Sequence, residues 1–253
     1  MAVRLVAFDL DDTLAPSKSP LPAPMGEALL ALLARRPVAI ISGGQYGQFR
    51  KQVIEQLPES ALLDDLHLMP TNGTQYYSHT NGSWAAEYAH TLPADARRRC
   101  AEALESEAKA LGLWEEHTWG PRIEDRGSQM TFSALGQEAP VDAKKAWDPD
   151  GAKREALRER VQALLPDLDV HAGGSTSIDI TARGIDKAFG IRKLVEHVGV
   201  AASDILFVGD RLMPGGNDFP VIAVGVQTKA VESWEETEAF VRALVAELDA
   251  ATA

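Results

Sequence analysis

Residues Val3 to Asp9 (VRLVAFD) are apolar on both faces, the pattern of a strand buried inside a parallel sheet. A proline-rich loop follows, with Pro16, Pro20, Pro22 and Pro24, and then Met25 to Arg36 carries leucine and alanine at helical spacing. Val38 to Ile41 is a second continuous apolar run, ended by Ser42-Gly43-Gly44. Gln45 to Leu57 reads as a helix, and Leu66 to Pro70 as a third strand closed by the turn signal Asn72-Gly73. Strand, helix, strand, helix, strand is the alternation of a doubly wound, Rossmann-like α/β sheet. It resumes late in the chain. Asp186 to His197 is predicted helical, Ile205 to Asp210 (ILFVGD) is another buried strand, Val221 to Val224 a short one, and Ser233 to Leu248 a final amphipathic helix.

The middle follows another pattern. Gln75 to Tyr77 and Trp84 to Tyr88, separated by His79-Thr80-Asn81-Gly82, read as a hairpin. Pro93 to Leu111 and Gly151 to Leu165 are predicted helices. Arg122 to Arg126, Met130 to Leu135, Asp169 to Ala172 and Ser177 to Thr181 are predicted strands, paired antiparallel. Helices and strands do not alternate regularly here. The expected architecture is a doubly wound parallel-sheet core, residues 1–81 and 186–253, with an inserted α+β cap, residues 82–185.

Composition narrows the function. Of 253 residues, 45% are hydrophobic and 25% charged, which is globular rather than disordered, and the net charge is −12. No excess positive field exists to attract nucleic acid or an anionic membrane, so an anionic substrate needs a local site or a bound cation. The single cysteine, Cys100, permits no intramolecular disulfide, and a reducing cytoplasm is the simplest location. The run Met1 to Phe8 is too short for a signal-peptide core, and no stretch approaches the roughly 20 residues of a membrane span. The histidines show no metal-ligand spacing, and neither G-x-G-x-x-G nor a P-loop occurs.

In open α/β sheets ligands bind at the carboxyl ends of the strands. Those ends carry Asp9 and Asp11, then Ser42-Gly43-Gly44, then Asp210. Two carboxylates at i and i+2 past a buried strand can reach one small volume, where one attacks phosphorus and the other gives and takes protons. Alone, such a pair is equally an acidic turn. Asp210 and Asp218 could complete an oxygen shell for Mg²⁺ together with Asp9. Ser42 and the free N–H groups of the glycines after it could hold a phosphate oxygen. Lys187, at a helix start, supplies a point positive charge, and gains meaning only as part of this set.

The set Asp9-Leu10-Asp11-Asp12-Thr13, Ser42, Lys187 and Asp210 to Asp218 resembles the four motifs of the haloacid dehalogenase superfamily of phosphotransferases. The stretch Gly209-Asp210-Arg211-Leu212-Met213-Pro214-Gly215-Gly216-Asn217-Asp218 is similar to the corresponding loop of the eukaryotic-type phosphomannomutases. Gly173 to Asp179, Gly184 to Lys187, Met69 to Gly73 and Arg122 to Arg126 have counterparts there too. The resemblance implies a nucleophile at Asp9 and a general acid/base at Asp11. It implies Mg²⁺ on Asp9, the backbone carbonyl of Asp11, and Asp210, with Asp218 in or beside the shell. Ser42, Gly43 and Lys187 would hold the phosphoryl group. From the cap, Ser177 and Asp179 would contact a sugar and Arg126 a phosphate, with Lys144 a further candidate. Related mutases pair through their caps, so a homodimer is compatible with the resemblance.

Two departures matter. Asp12 stands where the mutases usually have glycine, and two further cap arginines of the mutases are Gln137 and Lys144 here. A glutamine offers no charge and a lysine no fork. A lost charge-assisted phosphate contact costs roughly 1.5–3 kcal/mol, about ten- to a hundredfold in affinity. The expectation is therefore Mg²⁺-dependent hydrolysis of a sugar phosphate or similar small phosphomonoester. The first alternative is phosphomannomutase activity, interconverting mannose 1-phosphate and mannose 6-phosphate. The second is a non-catalytic phospho-receiver or sugar-phosphate-binding regulator, whose paired acids would be adjacent in sequence.

Overall fold

The computed structural model describes residues 3–58 and 63–251, so the first two residues of the run Met1 to Phe8 lie outside it. The chain divides into two compact units, Met1–Ala89 with Asp186–Ala253, and His90–Ile185. The first unit begins with β1 (Leu5–Phe8), α1 (Ala23–Leu33), β2 (Val38–Ile41), α2 (Tyr46–Gln52), β3 (Leu66–Met69), β4 (Gln75–Thr80) and β5 (Ser83–Ala89). The second unit contains α3 (Ala94–Ala110), β6 (Ile123–Asp125), β7 (Gln129–Ser133), α4 (Val141–Trp147), α5 (Ala152–Leu164), β8 (Leu168–Ala172) and β9 (Ser177–Ala182). The chain then returns to the first unit with α6 (Lys187–Val198), β10 (Ile205–Gly209), β11 (Gln227–Ala230) and α7 (Trp234–Ala250).

The first unit is built on a seven-stranded sheet of order β11-β10-β1-β2-β3-β4-β5. Strands β11 to β3 are parallel, and β4 and β5 add antiparallel at one edge. Successive side chains of a strand point to opposite faces. Val6, Phe8, Val38, Ile40, Leu66, Leu68, Leu206 and Val208 therefore join a core with α1, α2 and α7 residues. Leu5, Ala7, Ala39, Ile41, Met69, Ile205 and Phe207 join another with Ile191 and Leu194 of α6. Helices on both faces are why these strands read as unbroken apolar runs. Helix α6 starts at Asp186, whose side chain accepts from the Phe189 N–H at 2.8 Å, and stops at Gly199 with φ 69°.

The second unit is a four-stranded antiparallel sheet of order β6-β7-β9-β8. One face, with Met130, Phe132, Val170, Ile178 and Ile180, packs in a core with Cys100 and Leu104 of α3 and Leu157 and Val161 of α5. Burial pushes the Cys100 thiol up to about 11, against the pull of Arg99, so this cysteine is an unreactive core residue. The other face of β7 and β9 is polar.

Several expectations need correction. The hairpin 75–89 belongs to the first sheet, since β4 pairs with β3 through Leu68 and Tyr77 and β5 pairs along β4. The boundary between the units therefore follows Ala89 rather than residue 81. Val221 to Val224 is not a strand: Phe219–Val224 is a 3-10 turn, and the edge strand is β11. The helix expected over Gln45 to Leu57 ends at Gln52 and continues as a 3-10 turn, Ile54–Gln56. Among the described residues no helix is long and apolar enough to cross a membrane.

Candidate active site

The central strands β10, β1 and β2 run parallel, so their carboxyl ends lie side by side. Phe8 is aligned with Val208 and with Ile40. Asp9, Asp210 and Ser42 consequently leave adjacent strands at one edge, and the Asp9 N–H still bonds the Val208 carbonyl at 3.0 Å. Lys187 is the first residue of α6 and is 1% exposed. Its Nζ lies 2.7 Å from Asp9 Oδ1 and also donates to Asp218 Oδ1. The other Asp218 oxygen accepts from the Arg211 N–H at 3.0 Å. Gly209 permits this approach: a Cβ there would stand 2.4 Å from Asp218 Oδ2.

One oxygen from each of Asp9, Asp210 and Asp218 lies within 4.8 Å of the others. Burial pushes the Asp9 carboxyl well above its usual range, Lys187 opposes this, and Asp218 and Asp210 add to it. Asp210 is raised by burial and by Asp218. Burial works against the Lys187 charge, but Asp218 and Asp9 prevail and hold its ammonium above the ordinary value. Three carboxylates face the Lys187 ammonium and the Arg211 guanidinium, whose Nε lies 3.6 Å from Asp210 Oδ2, which leaves one negative charge in excess. Hard oxygen donors with that excess fit Mg²⁺ in both chemistry and charge. Asp218 is tied to Lys187 and the Arg211 N–H, Asp9 Oδ1 accepts from the Leu10 N–H at 2.7 Å beside Lys187, and Asp210 Oδ1 accepts from the Thr13 hydroxyl at 3.4 Å.

Ser42 is buried, and its hydroxyl oxygen accepts from the Gly44 N–H at 3.2 Å, while Gly43 between them is half-buried. The Ser42 and Gly44 carbonyls accept from Asn72 and Thr71, both at 2.9 Å. These belong to a tight turn, Pro70–Gly73, in which Thr71 and Asn72 take φ of 49° and 56°. The turn sits on α6 because Gly73 meets Gly190: a Cβ on Gly73 would be 2.4 Å from the Gly190 Cα. The serine loop and the lysine helix are thereby locked to each other.

The Asp11 carboxylate is not part of the acidic cluster, which leaves its backbone carbonyl as the group the resemblance places on a metal. Its oxygens accept from the Lys18 N–H at 2.7 Å, Gln48 Nε2 at 3.0 Å and Gln52 Nε2 at 3.3 Å. Gln48 and Gln52 were missed from the sequence; their spacing of four on a helix is the only trace they leave. Asp12 has φ 62°, the conformation glycine adopts without strain, which accounts for the residue expected there. Aspartate is tolerated because its Oδ1 accepts from the Ser17 N–H at 3.1 Å. Asp12→Ala should therefore lose about 1–2 kcal/mol through left-handed strain and the lost bond, with Asp12→Gly staying within about 1 kcal/mol of wild type. Urea denaturation checks this, and equal stability of all three would refute it.

The second unit holds the remaining candidates. Asp179 accepts from Thr131 Oγ1 at 2.7 Å, and Ser177 and Ser133 share a hydroxyl contact of 2.9 Å. Thr131 and Ser133 were also missed; polar positions 129, 131 and 133 alternating with Met130 and Phe132 were the available signal. Arg126 is buried and paired with Glu124 Oε2 at 2.7 Å. Lys144 Nζ donates to the Gln137 carbonyl at 2.8 Å, and Gln137 Nε2 to Ser133 Oγ at 2.8 Å.

Comparison with known proteins identifies the family and the fold. A family model described as eukaryotic phosphomannomutase matches residues 25–247. The phosphomannomutase of Encephalitozoon cuniculi is 25% identical over 221 residues, 85% of this chain and 82% of that protein. Among solved structures, an IMP-bound IMP-nucleotidase of Plasmodium falciparum superposes with TM-score 0.73 at 15% identity, over 98% of this chain and 67% of that one. A haloacid dehalogenase-like hydrolase from Bacteroides thetaiotaomicron does so with TM-score 0.62 at 14% identity, over 95% and 99%. Together with the strand-end acids and the buried lysine, the match over residues 25–247 means that the chain belongs to the eukaryotic phosphomannomutase family, within the haloacid dehalogenase superfamily of phosphoryl-transfer enzymes.

Proposed function

We propose that the chain is a Mg²⁺-dependent phosphomannomutase that works through an aspartyl phosphate on Asp9. The observation that carries this reading is the buried contact of Lys187 with Asp9, at the end of β1, and with Asp218, in the loop after β10, in a chain matched by that family. A carboxylate oxygen of Asp9 attacks phosphorus, the bond from phosphorus to the sugar oxygen breaks, and Asp11 delivers a proton to that oxygen. With a bisphosphorylated sugar as the donor, the aspartyl phosphate then passes its phosphoryl group to the free hydroxyl of a sugar monophosphate, whose proton goes to Asp11, and the bisphosphate so formed returns its other phosphoryl group to Asp9. Lys187 and the Ser42 loop offset and hold the charge on the transferring group. Mg²⁺, held by Asp9, Asp210 and the Asp11 carbonyl beside Asp218, would supply charge neutralisation for the phosphoryl oxygens. Asp179 and Ser177 are suited to sugar hydroxyls.

Hydrolysis, the leading expectation from the sequence, is the second reading. Arg126 is paired with Glu124 and Lys144 donates to the Gln137 carbonyl, so gripping a second phosphate with these cations would first break contacts they already make. One assay separates the readings: mannose 1-phosphate with Mg²⁺ and a catalytic bisphosphate activator, followed by ³¹P NMR. Mannose 6-phosphate should form faster than inorganic phosphate, stop with EDTA and resume with added Mg²⁺. Phosphate outrunning the isomer would favour hydrolysis, and no phosphorus chemistry at all would overturn both.

A further inference from the structure

We propose that Gln48 and Gln52, one helical turn apart on α2, are positioning residues for Asp11; this rests on the reading of Asp11 as the acid/base. Gln48 Nε2 donates to Asp11 Oδ2 at 3.0 Å, and Gln52 Nε2 to Oδ1 at 3.3 Å, where the Lys18 N–H also donates at 2.7 Å. Both oxygens are thus held, which fixes the two side-chain torsions that would otherwise let the carboxyl swing.

The orientation of the Gln52 amide is forced. Its nitrogen faces two acceptors, Asp11 Oδ1 and, at 2.7 Å, the Ser19 carbonyl, so a flipped amide would set oxygen against oxygen. In this orientation the buried Oε1 has no hydrogen-bond partner. A buried amide that leaves its oxygen unmet is a cost to folding, and stability alone does not account for it. Gln48 has its own accommodation, since a Cβ on Gly44 would lie 2.4 Å from Gln48 Oε1. Neither glutamine is needed for binding in this reading; each acts through Asp11.

The leaving group supplies the test. A sugar hydroxyl leaves poorly and needs the proton from Asp11, whereas nitrophenolate leaves readily without one. Wild type, Gln48→Met, Gln52→Met and Asp11→Asn are compared with Mg²⁺ in single-turnover release of mannose from mannose 1-phosphate and of nitrophenolate from nitrophenyl phosphate. Gln56→Met is the control, because the Gln56 amide donates to the Lys51 carbonyl at an exposed position. Each glutamine variant should lose about ten- to a hundredfold on the sugar phosphate, the range of a hydrogen bond to a charged group, with KM near wild type. The aryl phosphate should change by less than about threefold, and Gln48→Met should add little to Asp11→Asn, since residues acting as one unit are not additive. Equal losses on both substrates, no loss, or faster release from the sugar phosphate would overturn the proposal. Gln48 is half-exposed, so Gln48→Met decides the matter even if Gln52→Met does not fold. A wild type inactive on both substrates would overturn the mechanism and this inference with it.

Discussion

An Asp9→Asn protein is expected to fold, to be at least as stable as wild type without Mg²⁺, and to turn over no more than about one part in 10⁴ as fast, because losing the nucleophile of a covalent mechanism leaves only binding and charge stabilisation. The amide fits the space of the carboxylate, and Lys187 keeps Asp218 as a partner. Burial and the neighbouring Asp218 and Asp210 disfavour the Asp9 charge, so removing that charge relieves the metal-free fold while abolishing the attack on phosphorus. Melting curves with and without Mg²⁺, together with phosphate bound to protein after rapid mixing, read both halves. Wild-type turnover above about a tenth in Asp9→Asn would rule out Asp9 as a covalent nucleophile.

Positions buried on both faces of the sheet were legible from the chain alone. VRLVAFD, VAII and ILFVG have no polar face because helices cover both sides, and their ends therefore announce Asp9, Ser42 and Asp210. Edge elements lack that signature. Strand β11 (QTKA) alternates between half-buried and exposed and pairs only with β10, while the more apolar Val221 to Val224 competes for the same assignment and forms a 3-10 turn. The hairpin 75–89 was legible as a hairpin, but no residue in it states which sheet it joins; the pairing of Leu68 with Tyr77 decides that.

Residues whose role depends on a neighbour were the least legible. Carboxylates and a lysine carry recognisable chemistry, whereas Gln48, Gln52 and Thr131 become informative only once Asp11 and Asp179 are seen to accept from them, and Ser133 once it meets Ser177. The family resemblance is what assigns Arg126 to a phosphate and makes Lys144 a candidate; in the fold Arg126 pairs with Glu124 and Lys144 donates to the Gln137 carbonyl, contacts the sequence does not announce.

Lys187→Met should be the most destabilising single change in the first unit, at about 3–5 kcal/mol, the range for removing one partner of a buried ion pair. Methionine nearly matches the volume of the lysine stem, so cavity formation contributes little and the loss reports electrostatics. Asp9 and Asp218, both buried, would then face each other and Asp210 with no ammonium between them. Two dependences follow. Added Mg²⁺ should recover part of the loss, since a divalent cation satisfies the same excess charge by binding only the folded state. Lower pH should also recover part of it. The Asp9 carboxyl is raised above its ordinary value even with Lys187 beside it, and without that cation it rises further, so the folded state takes up a proton before the unfolded one. A raised carboxyl destabilises above its folded-state pKa, and that penalty disappears as pH falls below it. Urea titrations of wild type and Lys187→Met across pH 5 to 8, with EDTA or Mg²⁺, should therefore converge toward acid and toward metal. A Lys187→Met loss below about 1 kcal/mol, or one indifferent to both variables, would mean that the lysine and the acids are not electrostatically coupled.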